Sequence, residues 1–176
     1  VYQYFDGQTN DEMLTNAVMK SARDLGAKLM YPVKIESINK ANQDFTINYT
    51  ESDQQKKITS KLIVNAAGPW VNEIEHIVDN PIKQLAVDLV QGTHIILDVP
   101  APTGSYYLEA DDKRAVFIMP YEFEDKKITM VGTTEKIFKG KADDVTPTKD
   151  EVDYLVGVYK KYFKGKKEVS VLHQFA

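Results

Sequence analysis

Apolar positions along this chain recur with two different periods, and the switches between them predict the order of elements. Near the N-terminus Leu14, Ala17, Val18, Ser21, Ala22 and Leu25 fall on one helical face. Thr9 and Glu12 precede that run at capping-box spacing and Gly26 closes it, so a helix is expected here. Tyr4-Phe5-Asp6-Gly7 reads as a strand end entering a turn, and Ala27 to Tyr31 as a short apolar strand. From Val33 the period drops to two. Val33 to Ile38, Asp44 to Thr50 and Lys56 to Lys61 alternate apolar and polar residues between turn-rich breaks, which predicts an antiparallel meander open on one side. Leu62 to Asn65 then reads as a buried strand suited to a parallel sheet, and Pro69 restarts the chain as a helix to about Val78.

A second region begins near Asn80-Pro81. Leu85 to Val99 is a long β-rich run interrupted at Gln91-Gly92 and broken by Pro100 to Gly104. Tyr106 to Glu109, Ala115 to Pro120 and Lys127 to Val131 are shorter strands separated by Asp/Lys-rich turns, the pattern of a mostly antiparallel sheet. A polar loop follows Gly132-Thr133-Thr134 as far as Asp144. Thr148 and Glu151 repeat the capping-box spacing, and Val152, Leu155, Val156 and Tyr159 predict the inner face of a helix stopping by Gly165. Val169 to Ala176 reads as a last strand. The expected fold is thus α/β plus β, with one domain over residues 1 to 80 and another over 81 to 176.

Composition narrows the function classes. The 176 residues are 43% hydrophobic and 27% charged, as in an ordinary folded protein. Lys and Arg number 22 against 26 Asp and Glu, for a net charge of -4, so no basic face argues for nucleic acid. Cysteine is absent, which removes disulfides, thiolate metal sites and a cysteine nucleophile. No apolar run approaches the roughly 20 residues of a membrane-spanning helix, and no signal peptide opens the chain, so a cytoplasmic setting is expected. The chain starts at Val1 rather than Met and stops inside an apolar stretch, which reads as a piece of a longer protein.

Candidate chemistry gathers in three places. Asn65-Ala66-Ala67-Gly68 strips side-chain bulk from the end of an apolar strand. That suits either a turn packed for its own sake or a flat or anionic ligand lying on the backbone. His94 alternates with Gly92, Ile96 and Asp98, and is either a hydrogen-bonded core histidine or a general base beside a ligand. Gly132-Thr133-Thr134 at a strand end offers hydroxyls and backbone N–H groups to a phosphate or cofactor edge, although such turns are common. The pairs Asp111-Asp112 and Asp143-Asp144 are expected to be solvated loops, and Arg114 surface charge. His76 and His173 have no spacing partner, so no metal site is expected. Neither G-x-G-x-x-G nor G-x-x-x-x-G-K occurs.

Taken in order, six segments resemble the middle of an FAD-dependent (aerobic, respiratory) glycerol-3-phosphate dehydrogenase. They are Tyr4 to Gly7, Val64 to Val71, Gln91 to Ile95, Asp112 to Tyr121, Val131 to Glu135 and Glu151 to Leu155. Asn65 to Trp70 alone is also similar to the wider amino-acid-oxidase-like flavoproteins. The resemblance implies part of a Rossmann-like FAD domain with its antiparallel meander, joined to a substrate domain with a mostly antiparallel sheet and a flanking helix. It further implies oxidation of sn-glycerol 3-phosphate to dihydroxyacetone phosphate, with electrons passing through FAD to membrane quinone. The implied parent is a peripheral protein on the inner face of the cytoplasmic membrane, often a homodimer. By the same resemblance Val33 meets the adenine side of FAD, and Asn65, Ala66, Ala67 and Gly68 line the dinucleotide. His94 is the active-site histidine, and Thr133 and Thr134 face the substrate.

The departures are equally specific. The family's G-x-G-x-x-G, its Gly-x-Arg-Pro segment and its lysine- and glycine-rich flavin segment are missing, Thr93 stands where Ser is common, and Glu135 where Asp is usual. A phosphomonoester calls for an arginine clamp, and Arg23 and Arg114 are the only arginines. The 176 residues are therefore expected neither to hold FAD tightly nor to turn over alone. The competing readings are another FAD-dependent amine or amino-acid oxidoreductase, and a binding module without flavin chemistry.

Overall fold

The computed structural model describes residues 2–79, 87–164 and 168–176. Its described residues fall into two compact units. One runs up to Ala66 and takes in the chain again from Glu73; the other holds Ala67–Asn72 and the described chain from Val87 onward.

In the first unit, helix α1 (Asp11–Asp24) is capped by Asn10, whose side chain accepts a hydrogen bond from the Met13 N–H. The cap sits one residue later than the Thr9 and Glu12 spacing predicts, because asparagine is at least as good an N-cap as threonine. Gly26 follows the helix at φ +97°, as a C-terminal glycine should. The predicted apolar face is present but uncovered, with Leu14 53% and Val18 61% exposed. The meander is as expected: β1 (Lys34–Ala41), β2 (Asp44–Glu51) and β3 (Gln54–Ser60) pair antiparallel in that order. Ile38 and Tyr49 are buried in it, and Ile38 is held to the segment around Ile77 by Ile38 N–H to Ile77 O and Asp79 N–H to Ile38 O, both 2.8 Å.

Three expected strands do not form. Tyr4 to Asp6, Ala27 to Tyr31 and Leu62 to Asn65 carry no ladder, and Leu62 and Val64 are 73% and 78% exposed. A strand needs a neighbour to take its backbone hydrogen bonds, and no described strand lies beside these segments. Beyond them Gly68–Trp70 forms a 3₁₀ turn running into α2 (Val71–His76), so the proline does restart the chain as helix.

The second unit is a five-stranded antiparallel sheet in the order β10-β5-β8-β7-β6, formed by β5 (His94–Pro100), β6 (Tyr106–Glu109), β7 (Ala115–Phe123), β8 (Lys126–Gly132) and β10 (Val171–Phe175). Helix α3 (Lys149–Tyr162) packs on one face. Ile95, Leu97 and Val99 of β5, Val116 and Ile118 of β7 and Val131 of β8 meet Leu155, Val158 and Tyr159 there. The helix buries Glu151, Leu155, Val158 and Tyr159, whereas Val152 and Val156 only flank this core. The observed stripe is therefore rotated slightly about the helix axis from the predicted one. A two-stranded ladder of β4 (Leu89–Gln91) and β9 (Lys136–Phe138) completes the unit. Strand β9 lies in the stretch expected to be polar loop; three residues are too few to show a period. The start of the predicted Leu85 to Val99 run and the stop at Gly165 fall outside the described residues.

The observed class is mixed α/β, with three helices and antiparallel sheets among the described residues, as the sequence implies.

Candidate active site

The two faces of the five-stranded sheet differ, and the difference places His94. Residues directly opposite each other in an antiparallel sheet share a face. Ile95, Val131 and Ile118 stand in one such row and belong to the core under α3. His94 stands opposite Gly132 on one side and Phe175 on the other, while Ile96 stands opposite Met130, and Met130 opposite Met119. His94 is thus half-buried on the face away from α3, not within the aliphatic core. Its ring stacks on Phe175 with centroids 5.2 Å apart and planes 9° apart.

Two glycines make room for this arrangement. A Cβ at Gly132 would lie 2.2 Å from His94 Cδ2, and one at Gly92 would lie 2.6 Å from Thr133 Oγ1. Gly132 is therefore dictated by close approach, whereas the atom nearest Gly92 is a hydroxyl that can rotate.

Beneath them lies a buried polar cluster that spacing alone does not reveal. Glu151, at the third position of α3, is 6% exposed. Its Oε2 accepts from the Thr148 N–H (3.1 Å), the Thr148 hydroxyl (2.6 Å) and Gln91 Nε2 (2.9 Å). Its Oε1 accepts from the hydroxyls of Thr134 (2.7 Å) and Thr93 (3.1 Å). The predicted capping box is present, but it is only part of what this carboxylate does. Burial pushes its pKa up; the hydrogen bonds from Thr148, Thr134 and Thr93 outweigh that and hold it below the ordinary carboxylate range. The Thr134 hydroxyl also accepts the Thr93 N–H (2.9 Å), and the Thr134 N–H donates back to Thr93 O (3.2 Å). Thr133 Oγ1 donates to Thr134 O. Of the two threonines, Thr134 turns its side chain inward to Glu151, while Thr133 remains half-buried beside Gly92.

The remaining expectations separate. Val33 is half-buried just before β1. Asn65 and Ala67 are half-buried and Ala66 and Gly68 exposed. Asp112 lies in an exposed turn, as expected, and there accepts from Arg114 Nε (2.8 Å) and from the Tyr154 hydroxyl (3.0 Å), tying the β6–β7 turn to α3. Asp143 likewise accepts from Trp70 Nε1 at 3.0 Å. Arg114 is half-exposed and committed to Asp112 and to Glu135 O. A short charged turn shows its charge in sequence but not the partner that folding brings to it.

Residues 1–176 match the family described as FAD dependent oxidoreductase from end to end. The chain belongs to that family. The chain is similar to D-erythritol 1-phosphate dehydrogenase of Brucella abortus (strain 2308), with 33% identity over 99% of the chain and 35% of the relative. It is 30% identical to a glycerol-3-phosphate dehydrogenase of Pseudomonas aeruginosa over 99% of the chain and 34% of that protein. The aerobic glycerol-3-phosphate dehydrogenase of Escherichia coli (strain K12) is 27% identical over 93% of the chain and 32% of its own length. The chain therefore spans about a third of the length of these curated relatives.

Gly68 adopts φ +54°, and the volume that a side chain would fill there is open. Ala66, two residues before it, is exposed as well.

Proposed function

We propose that this chain is the central part of a flavoenzyme that oxidises the secondary alcohol of a short polyol phosphate, with sn-glycerol 3-phosphate as substrate and dihydroxyacetone phosphate as product. The observation that carries the reading is His94 on the sheet face away from α3, seated against Gly132 and stacked on Phe175. The relatives support the substrate class, since those quoted above are named as dehydrogenases of glycerol 3-phosphate or D-erythritol 1-phosphate.

FAD, when bound, supplies the two-electron acceptor for the carbinol. His94 takes the hydroxyl proton as the carbinol becomes a ketone, a task suited to an imidazole at neutral pH. Thr133 and Thr134 hold the strand end that faces the substrate, Thr133 by its hydroxyl and Thr134 by its backbone. Val33 and Asn65 to Gly68 contribute backbone to the dinucleotide. Electrons leave for membrane quinone from a homodimer bound peripherally at the inner face of the cytoplasmic membrane. The Escherichia coli relative is named an aerobic glycerol-3-phosphate dehydrogenase.

The test is anaerobic reduction of the FAD-loaded, full-length polypeptide carrying this chain. sn-Glycerol 3-phosphate should bleach the flavin, and His94→Ala should slow bleaching by about 10²-fold or more, the range removed with a general base. Bleaching by D-erythritol 1-phosphate alone would move the substrate to the four-carbon homologue, a second reading favoured by the Brucella relative. Bleaching by an amino acid and by neither phosphate would overturn the proposal.

A further inference from the structure

Glu151 has more hydrogen bonds than a helix cap requires, and the surplus points at the candidate site. A capping box needs one carboxylate oxygen on the N-cap N–H, which Oε2 provides through Thr148. Oε1 is given entirely to Thr93 and Thr134, which lie 58 and 17 residues away in sequence. No cation lies within ion-pair distance of Glu151 among the described residues. Its charge is met instead by fixed dipoles: three hydroxyls, one side-chain amide and the N-terminus of α3.

Two of those hydroxyls belong to residues that frame His94. Thr93 immediately precedes it, and Thr134 closes the Gly132-Thr133-Thr134 strand end. By donating to Glu151, the Thr134 hydroxyl is fixed with a lone pair toward the Thr93 N–H, and the two residues are joined twice. Because side chains alternate along a strand, a clamp on the α3 side at Thr93 sets the backbone from which His94 projects on the other. The contacts on that face leave little slack, with Gly132 against His94 and Gly92 against Thr133.

We infer that Glu151 is a positioning residue: from the far side of the sheet it locks Thr93 to Thr134 and so sets the placement of the His94 imidazole and the Thr133 hydroxyl. The inference rests on the proposed role of His94, but its first readout does not. That readout is the His94 imidazole Cε1–H signal in NMR of the full chain, identified by its loss in His94→Ala and titrated with pH. Glu151→Gln keeps shape and removes the charge and one acceptor. The expected result is a displaced His94 signal with a shifted titration midpoint, while His76 stays in place. Asp112→Ala, which removes the acceptor of the Tyr154 hydroxyl and so breaks another tie between α3 and the sheet, should leave the His94 signal unmoved.

In the FAD-loaded polypeptide Glu151→Gln should lower kcat/KM for sn-glycerol 3-phosphate about tenfold, mostly through kcat, and move the acidic limb of its pH profile. A Glu151→Gln protein that loses thermal stability but keeps the His94 signal and pH limb of the parent would overturn the inference and leave a plain helix cap. Should that variant not fold, Thr93→Val decides. It removes one Oε1 donor and leaves the cap intact, and an unmoved His94 signal there has the same overturning force. If His94→Ala has no effect on turnover while Glu151→Gln moves the His94 signal, the proposed chemistry fails and the positioning stands.

Discussion

His94 and Gly132 face each other across β5 and β8 so closely that a methyl group on Gly132 would sit 2.2 Å from the imidazole Cδ2 and 2.7 Å from Cγ. These are atoms near the root of the ring, held further by the Phe175 stack, so the imidazole cannot swing clear by a small rotation. Gly132→Ala should therefore displace His94 or part the two strands, costing about 1–3 kcal/mol as overpacking does. Urea denaturation reads the stability, and the His94 NMR signal reads the displacement. A Gly132→Ala protein with parental stability and an unmoved His94 signal would show that the face is looser than this contact.

Gly92→Ala is the instructive contrast. There the atom met first is the Thr133 hydroxyl, at 2.6 Å, which a side-chain rotation can move; the backbone oxygen of Thr134 comes next at 3.4 Å. The variant should be less destabilised than Gly132→Ala, while Thr133 gives up its bond to Thr134 O. The same urea series checks the ranking, and a reversed order would refute it.

Glu151 makes stability depend on pH in a defined direction. Its folded-state pKa lies below the ordinary carboxylate value, so the folded protein binds its proton less readily than the unfolded chain. The contribution is complete above the unfolded-state value of about 4.3 and is lost as pH falls through the lower, folded value. Denaturation midpoints should fall with acidification across that window, and Glu151→Gln should flatten this component. Glu151→Ala at neutral pH should cost roughly 2–4 kcal/mol, from a lost cap and buried donors left without their acceptor. An equal pH slope in the parent and the Glu151→Gln protein would assign the acid sensitivity to other carboxylates.

The core under α3 gives a simpler expectation. Leu155 is fully buried against Ile95, Leu97 and Val131 of the same cluster. Leu155→Ala should cost roughly 2–5 kcal/mol. Because α3 also carries Glu151, hydrogen exchange at Thr93 and Thr134 should quicken in parallel. Exchange that quickens only along the helix would mean the clamp is independent of helix packing.

What can be read in the sequence follows the range of the forces involved. The meander, the α3 capping box and the strand holding His94 rest on neighbours a few residues apart, and all three are present. Alternation puts His94 on a strand but leaves open which face of the sheet it takes; the sheet register decides that. The second task of Glu151 is hidden because Gln91 and Thr93 lie 60 and 58 residues away. Asp112 and Asp143 escape for the same reason, since Tyr154 and Trp70 reach them only in the folded chain. Leu62 to Val64 fails in the opposite sense. Its apolar run is strand-like, but a strand is a property of a pair, and no described strand lies alongside.

The last prediction concerns FAD and these 176 residues alone. Gly68 leaves open space beside its backbone, but the sequence contains no G-x-G-x-x-G to seat a pyrophosphate on a helix N-terminus. Contact along one edge of a dinucleotide must offset the cost of immobilising it, several kcal/mol before any net affinity appears. The purified chain should therefore leave FAD fluorescence unchanged at micromolar concentrations and carry no yellow cofactor, whereas the full-length polypeptide should retain FAD through gel filtration. Stoichiometric FAD on the 176-residue chain would mean that the Asn65 to Gly68 edge and the surfaces around it hold the dinucleotide without a phosphate loop, and the inactivity expected of the isolated chain would fall with it.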